Sequence, residues 1–217
     1  MKKVYFISGL GADERVFSFL DLSFCEPVHI NWIPPLKKES LESYALRLRK
    51  EIPETHPVVV GISFGGMLTT EMAKADPNIH AIIIASSKTT KEFPTYLRMV
   101  KYFPLYNWMP GKMLKRSAYM AKWVLGKNQK EQKRIILEII RDTDIEFVKW
   151  AFTAILNWRN DIVPDNIVHI HGTADKLLPY RLVKADHIIE GGPHVLPLDK
   201  HEEVSALLRK ILAVGGE

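Results

Sequence analysis

The chain has 217 residues, of which 47% are hydrophobic and 25% are charged, and its formal net charge is +5. This composition is that of a folded globular protein and excludes a disordered or fibrous chain, while the length suits one domain with or without a sizeable insertion. The single cysteine, Cys25, excludes an internal disulfide and a cysteine-rich metal site, and it fits a reducing compartment.

The excess of basic over acidic residues is confined to one internal segment. Between residues 89 and 160 there are 14 Lys and Arg residues against 6 Asp and Glu residues, whereas the rest of the chain has 16 against 19. Positive charge without a recognition motif does not indicate nucleic-acid binding, and we expect no nucleic-acid partner. Two interpretations of these basic residues stay open. They attract anionic substrates or a lipid surface, or they only cover the solvated faces of helices.

The N-terminus resembles the start of a signal peptide, because two lysines precede an apolar run that begins at Val4. That run stops at Ser8-Gly9 and is too short for the apolar region of a secretion signal. No apolar stretch of the sequence reaches the ~20 residues that cross a bilayer. We therefore expect a cytoplasmic protein without stable membrane insertion.

Short apolar runs alternate with stretches of helical periodicity in the first part of the chain. Apolar residues at helical spacing predict one helix that opens at the N-cap Ser40, and another that follows residue 63 and ends at Asp76-Pro77. Four apolar runs predict strands buried on both faces, at residues 4–9, 28–33, 57–63 and 79–85.

The alternation resumes near the C-terminus. Residues 167–171 and 186–190 predict two further strands, and the last predicted helix has Asp199 as its N-cap with Glu202 in a capping-box position. Strands that alternate with helices indicate an α/β fold. We expect a mostly parallel sheet of about six strands with helices on both faces.

Residues 89–164 interrupt this alternation and show no clear strand. The segment has apolar residues at helical spacing and therefore predicts an all-helical insertion over one edge of the sheet. The expected core consists of residues 1–88 and 165–217. The insertion carries four of the five tryptophans, Trp108, Trp123, Trp150 and Trp158.

A candidate nucleophile follows the third predicted strand. Gly61-Ile62-Ser63-Phe64-Gly65 has the Gly-x-Ser-x-Gly pattern, with a β-branched strand before it and a helix after it. A serine at such a sharp turn exposes its Oγ, and small residues on either side let the strand and the helix approach. Five-residue matches also arise by chance in turns, but the strand, the helix and the additional Gly66 favour the functional interpretation.

A serine hydroxyl needs a base, and the base needs an orienting carboxylate. In open α/β sheets such groups come from the carboxyl ends of later strands. Asp175 follows the fifth predicted strand and His194 follows the sixth after two glycines, which favours both over their alternatives. The alternative acids are Asp161 and Asp165, and the alternative bases are His29, His56, His80, His169, His171, His187 and His201.

Two backbone N–H groups are needed where the carbonyl oxygen of a substrate becomes negative. One expected donor is the N–H of Phe64, directly after the serine. The other is the N–H of Leu10, in the loop Ser8-Gly9-Leu10-Gly11 after the first strand. The alternative for that loop is a glycine turn whose only role is to start a helix at Asp13.

Together these motifs resemble those of the α/β-hydrolase superfamily, and the chain is similar to small serine esterases with a helical cap. Residues 61–66 resemble the nucleophile elbow, 171–175 the acid segment and 191–195 the histidine loop. The insertion, 89–164, falls where the family places its cap, or lid. Two features depart from the pattern. Ser8-Gly9 stands where many members have His-Gly, and the chain begins at the family's third strand, which implies the reduced sheet.

The resemblance implies a serine hydrolase that cleaves a small-molecule carboxylic ester or thioester through an acyl-enzyme, without a cofactor or metal. Ser63 is the expected nucleophile, His194 the base and Asp175 its orienting acid, with the Leu10 and Phe64 N–H groups as the oxyanion hole. The aromatic insertion indicates an apolar acyl or aryl group, unless it only holds the core of the cap. The alternatives are a lyase or carbon–carbon hydrolase with the same triad, or a non-catalytic ligand receptor. No feature of the sequence predicts the oligomeric state.

Overall fold

The computed structural model describes residues 1–100 and 130–214, and its strands form one six-stranded sheet. The predictions for Trp108 and Trp123 lie outside the described residues. Among the described helices, none is long and apolar enough to cross a membrane. The strands are β1 (Lys3–Ile7), β2 (Glu26–His29), β3 (Val58–Ile62), β4 (His80–Ile84), β5 (Ile167–Gly172) and β6 (His187–Ile189). The helices are α1 (Leu41–Arg49), α2 (Phe64–Ala75), α3 (Thr95–Val100), α4 (Lys130–Asp142), α5 (Ile145–Asn157), α6 (Leu196–Asp199) and α7 (His201–Val214), with 3-10 turns at Glu14–Phe17, Thr90–Glu92 and Tyr180–Leu182.

All neighbouring strands are parallel, in the order β2-β1-β3-β4-β5-β6, which confirms the predicted fold class. The chain adds β2 on one side of β1 and then adds β3 on the other side. In open α/β sheets the carboxyl ends of the strands at such a reversal form the crevice in which ligands bind. The topology therefore places the loop after β1 next to the turn after β3.

The sheet has an apolar cluster on each face. Along β1, Tyr5 and Ile7 point into one cluster, whereas Val4 and Phe6 point into the other. This two-residue alternation of two apolar sets is typical of a strand that is covered on both sides. Helices α1 and α2 cover the first face, and α7 covers the second. The apolar runs of the sequence are therefore the buried centre of the molecule.

The described helices of the insertion pack on both clusters. Phe147 and Ile155 of α5 join the cluster that α1 and α2 cover, whereas Ile136 of α4 joins the opposite cluster. Parts of the insertion therefore share a core with the sheet. The division into a core of residues 1–88 and 165–217 and a cap of residues 89–164 stays a prediction.

The predicted extent of the second strand is wrong. β2 spans Glu26–His29 instead of residues 28–33, because its neighbour β1 ends at Ile7. The Ile30 N–H still donates to the Phe6 oxygen over 2.9 Å. Beyond that point β1 has no further residue to pair with, and the chain leaves the sheet.

The predicted N-cap of the last helix is also wrong. Asp199 is the final residue of α6, and α7 begins at His201. The Lys200 N–H donates to the Leu196 oxygen over 2.8 Å, so the backbone at Asp199 is already part of a helical turn. An N-cap residue requires a backbone that is not yet helical, and the short helix α6 removes that condition.

Candidate active site

Ser63 lies at the sharp turn between β3 and α2. Its backbone has φ 52° and ψ −115°, and a positive φ is rare for a residue other than glycine. The Ser63 N–H donates to the Ile84 oxygen of β4 over 3.0 Å, which ties the turn to the neighbouring strand. Such strain persists only where the surrounding contacts impose it, and it is concentrated at functional sites. The serine side chain is half-buried.

The glycines of the motif allow the strand and the helix to touch. A Cβ at Gly65 would overlap the backbone oxygens of Ile7 and Ser8, and a Cβ at Gly61 would overlap the Gly65 oxygen. Neither overlap can be relieved by a side-chain rotation, because the neighbouring atoms belong to the backbone. The turn that presents Ser63 therefore depends on the absence of side chains at both positions.

His194 lies between Ser63 and Asp175. Its Nε2 is 2.9 Å from the Ser63 Oγ, and its Nδ1 is 2.8 Å from the Asp175 Oδ2. The two residues are buried, with Asp175 5% and His194 7% exposed. Gly191, with φ 65°, turns the chain after β6 and allows His194 to reach this position. The structure thus brings together the three side chains that the sequence predicted as nucleophile, base and acid.

The second carboxylate oxygen of Asp175 is held by the turn that follows it. Oδ1 accepts hydrogen bonds from the N–H groups of Leu177 and Leu178, both over 2.8 Å. Burial alone would raise the pKa of Asp175, but the facing His194 and the Leu178 N–H lower it below its ordinary value. The carboxylate is therefore ionised at neutral pH and only accepts hydrogen bonds.

The ionised Asp175 determines which nitrogen of His194 carries the proton. Because Oδ2 is an acceptor, the Nδ1 of a neutral His194 is the donor and its Nε2 is unprotonated. An unprotonated Nε2 accepts a hydrogen bond from the Ser63 hydroxyl. The arrangement is that of a base poised to remove the serine proton.

The loop after β1 lies against the serine. A Cβ at Gly9 would lie 3.5 Å from the Ser63 Cβ, so the residue before Leu10 packs against the serine. The Phe64 N–H belongs to the first turn of α2, where helical N–H groups have no partner within the helix. In the part of the chain that the structure describes, neither of these N–H groups has a hydrogen-bond acceptor. Both N–H groups stay candidates for the oxyanion hole that the sequence predicts.

Three side chains hold the loop after β1. The Ser8 Oγ and the Trp32 Nε1 each donate to the Ala12 oxygen over 2.8 Å, and the Thr143 Oγ1 donates to the Gly11 oxygen over 2.6 Å. Trp32 and Thr143 were not predicted to lie here, because no local pattern of the sequence relates them to this loop. Thr143 is the more distant of the two and connects the loop to the insertion.

The same loop also begins a short helix. Asp13 caps the 3-10 turn Glu14–Phe17 and accepts a hydrogen bond from the Arg15 N–H. The alternative interpretation of the glycine-rich loop is therefore correct about the helix start. This helix start does not conflict with the oxyanion role expected of Leu10. Leu10 lies before the turn, and its N–H has no hydrogen-bond partner among the described residues.

The alternative acids and bases do not contact the serine. Asp161 and Asp165 are exposed. His171 is buried, and its Nε2 lies 3.4 Å from the Asp175 Oδ2, on the acid rather than on the nucleophile. No group of three or more His, Cys, Asp or Glu side chains within 1–100 and 130–214 could hold a metal ion. The histidines that bond to neither Ser63 nor Asp175 are His29, His56, His80, His169, His187 and His201.

Aromatic rings from distant parts of the chain surround Phe64. The ring centroids of Trp32, Phe147 and Trp150 lie 5.7, 6.4 and 6.2 Å from that of Phe64. Tyr44 of α1 packs on Trp150 at 4.5 Å. The sequence predicted aromatic groups from the insertion, but Trp32 and Tyr44 come from the N-terminal half. Tyr44 reaches this cluster because α1 packs against α5, whereas Trp32 reaches it from the segment between β2 and α1.

Comparison with known proteins agrees with this architecture. A sequence model of the alpha/beta hydrolase family matches residues 4–207, and no curated protein matches the chain. A carboxylesterase of Nitrososphaera gargenis is 15% identical with a TM-score of 0.70, over 98% of this chain and 90% of that one. MenH of S. aureus is 12% identical with a TM-score of 0.75, over 98% and 93%. An epoxide hydrolase of Bacillus megaterium is 10% identical with a TM-score of 0.73, over 98% and 94%. At these identities the likeness to solved structures concerns the fold.

Proposed function

We propose that this chain, which belongs to the alpha/beta hydrolase family, is a serine hydrolase that cleaves a small-molecule carboxylic ester or thioester. The observation that carries the proposal is the line of two hydrogen bonds, of 2.9 and 2.8 Å, from Ser63 through His194 to Asp175. A ligand receptor does not need a nucleophile, a base and an orienting acid in one line, whereas acyl transfer needs all three. The carboxylesterase among the similar structures supports the same class of substrate.

In the first half of the reaction Ser63 becomes acylated. Its Oγ attacks the carbonyl carbon of the substrate while His194 Nε2 takes the hydroxyl proton, and the negative charge of Asp175 stabilises the imidazolium. The carbonyl oxygen becomes negative and accepts hydrogen bonds from the N–H groups of Leu10 and Phe64. The tetrahedral intermediate collapses when the carbon–oxygen or carbon–sulfur bond to the leaving group breaks. The leaving alcohol or thiol takes the proton from His194.

In the second half water removes the acyl group. His194 Nε2 accepts a proton from the attacking water, which forms a second tetrahedral intermediate in the same oxyanion hole. The bond to Ser63 Oγ breaks, and the serine recovers its proton from His194. The products are a carboxylic acid and the alcohol or thiol released earlier, and the chain returns to its starting state.

The aromatic rings near the nucleophile support an apolar acyl or aryl group in the substrate. Phe64 is buried, whereas Leu10, Trp32 and Trp150 are half-buried and keep part of their apolar surface open. The indole N–H groups of the two tryptophans are already bonded to backbone oxygens. These rings therefore offer apolar surface rather than hydrogen bonds, which suits a hydrocarbon group.

Covalent labelling with a fluorophosphonate tests the proposal directly. The probe phosphonylates a serine that a neighbouring base activates, with loss of fluoride. We expect wild-type protein to be labelled, with the adduct on the peptide that contains Ser63, and Ser63→Ala to be unlabelled. The matched control is Ser43→Ala, which removes an exposed serine on α1 and should label like wild type.

Hydrolysis of p-nitrophenyl esters from acetate to octanoate then measures the preferred acyl length. Ser63→Ala should lose several orders of magnitude in kcat, because the nucleophile and base act as a unit. Folded wild-type protein that takes up no probe and cleaves no ester would contradict the proposal. The ligand receptor would then be the better explanation of the site.

A further inference from the structure

Two buried histidines lie close to Asp175, on the strand that precedes it. His169 and His171 are two residues apart in β5, and both side chains are 0% exposed. The His169 Nε2 lies 3.1 Å from the His171 Nδ1, and the rings meet edge to face. Two polar rings inside a sheet core cost desolvation energy, so an apolar residue would serve better if packing were their only role. The proposed reaction uses neither of them.

The hydrogen bonds of this pair define its protonation. Burial lowers the pKa of both imidazoles, so each is neutral at pH 7 and carries one proton. The His171 Nε2 lies 2.8 Å from the Leu178 oxygen, which can only accept. His171 must therefore hold its proton on Nε2, and its Nδ1 accepts a hydrogen bond from the His169 Nε2–H.

The same His171 nitrogen reaches the acid. Nε2 lies 3.4 Å from the Asp175 Oδ2, the oxygen that also faces His194. Leu178 is bonded to both residues, because its N–H donates to the Asp175 Oδ1 and its oxygen accepts from His171. Leu178 thus connects His171 to the Asp175 carboxylate, because its backbone binds both side chains.

We propose that His171, oriented by His169, is a positioning residue that keeps the Asp175 Oδ2 directed at His194. The inference rests on the proposed function, because it concerns the position of Asp175, the acid of the proposed site. Without the His171 N–H, the Leu178 oxygen loses its buried donor and the turn that carries Asp175 can shift. The carboxylate would then hold His194 less firmly in the tautomer that the reaction needs.

The test compares His171→Leu with His171→Gln. Leucine fills the buried site but has no donor, whereas the glutamine Nε2 supplies an N–H close to the place of the imidazole Nε2. With p-nitrophenyl acetate, we expect His171→Leu to lower kcat at least about tenfold at little changed KM, and His171→Gln to stay within about threefold of wild type. The control is His29→Leu, which removes a histidine that packs on Phe6 and Phe17 and bonds to neither Ser63 nor Asp175, and it should leave kcat unchanged.

Nuclear magnetic resonance provides a readout that does not depend on activity or on the stability of a variant. In wild-type protein, ¹⁵N shifts of the histidine rings should show His171 protonated on Nε2, and the proton on His194 Nδ1 should give a downfield resonance. In His171→Leu that resonance should weaken or exchange away, and in His171→Gln it should persist. A wild-type His171 protonated on Nδ1 would overturn the proposal. So would equal kcat values for wild type and folded His171→Leu, or equal losses in the Leu and Gln variants.

These outcomes remain distinct from a failure of the proposed function. Both ring measurements can be repeated in Ser63→Ala, where no acyl transfer occurs. If the fluorophosphonate fails to label wild type while the His171 tautomer and the His194 resonance behave as expected, the reaction is wrong and the positioning role stands. If labelling succeeds and His171 is protonated on Nδ1, the positioning role is wrong and the proposed reaction stands.

Discussion

Thr143, which lies between α4 and α5, donates a hydrogen bond from its Oγ1 to the Gly11 oxygen over 2.6 Å. The same Oγ1 lies 2.7 Å from the Ile139 oxygen, so the two carbonyl oxygens share its single proton where the end of α4 meets the loop after β1. Gly11 has φ 69° and packs directly on Thr143. The insertion therefore holds the loop that carries the proposed oxyanion donor, Leu10.

Removal of this hydroxyl should slow the reaction without weakening substrate binding. In Thr143→Val the side chain keeps its shape and loses one hydrogen bond, worth about 1 kcal/mol, or about fivefold in rate. Because the Leu10 N–H acts on charge that develops only in the transition state, kcat should fall and KM should stay. Thr143→Ser keeps the donor and is the matched control. Equal kcat values for the Val variant and wild type would show that the loop holds its position without Thr143.

Asp175→Asn should reduce kcat by about 10⁴-fold, as expected when an orienting carboxylate becomes an amide. The amide N–H can face the His194 Nδ1, which then becomes the acceptor and moves the imidazole proton to Nε2. A protonated Nε2 cannot take the serine proton. Steady-state kinetics with p-nitrophenyl acetate measures the loss. The control, Asp165→Asn, changes an exposed carboxylate and should behave as wild type. A loss below about tenfold in Asp175→Asn would argue against the assigned acid.

Gly65→Ala should destabilise the fold by about 3 kcal/mol, at the upper end of the cost of overpacking. The added Cβ would meet the backbone oxygens of Ile7 and Ser8, which cannot move without distorting β1. Urea denaturation compares the free energies of unfolding. Gly9→Ala is the control for this measurement, because its Cβ would make an ordinary 3.5 Å contact and should cost less than about 1 kcal/mol. Similar losses in both variants would contradict the proposed close approach.

The protein should be less stable at about pH 5.5 than at about pH 7.5. Burial lowers the pKa of His29, His80, His169 and His171. In the unfolded chain these groups titrate near 6.5, so below that pH the unfolded state binds more protons than the folded state. The stability that the neutral histidines contribute is therefore present above about pH 6.5 and is lost as the pH falls.

A single variant isolates this effect from groups that act in the opposite direction. Burial raises the pKa of Glu92, so that carboxyl favours the folded state as the pH falls. In His169→Leu one of the four histidines is gone, and the decrease in the urea midpoint between the two pH values should be smaller than in wild type. The same pH dependence in both proteins would show that His169 does not titrate differently on unfolding.

The alternation of apolar runs was enough to predict the sheet, and the spacing of Gly61, Ser63 and Gly65 was enough to predict the turn between β3 and α2. These features are local, because strand burial and a tight turn depend on residues that are adjacent in the chain. The choice of Asp175 and His194 as partners of Ser63 followed from the rule that sites lie at the carboxyl ends of strands. The local rule for helix caps failed at Asp199, because this residue ends the short helix α6 and its backbone is already helical.

The sequence by itself thus determined the fold class, the turn that presents Ser63 and the candidates for its base and acid. Only the tertiary structure decided which side chains support them. Thr143 meets Gly11, Trp32 meets Phe64, and His171 lies 3.4 Å from the Asp175 carboxylate. Periodicity indicates which face of a helix or strand is buried. A contact between two elements depends on how they pack in three dimensions, and the local spacing of residues does not determine that packing.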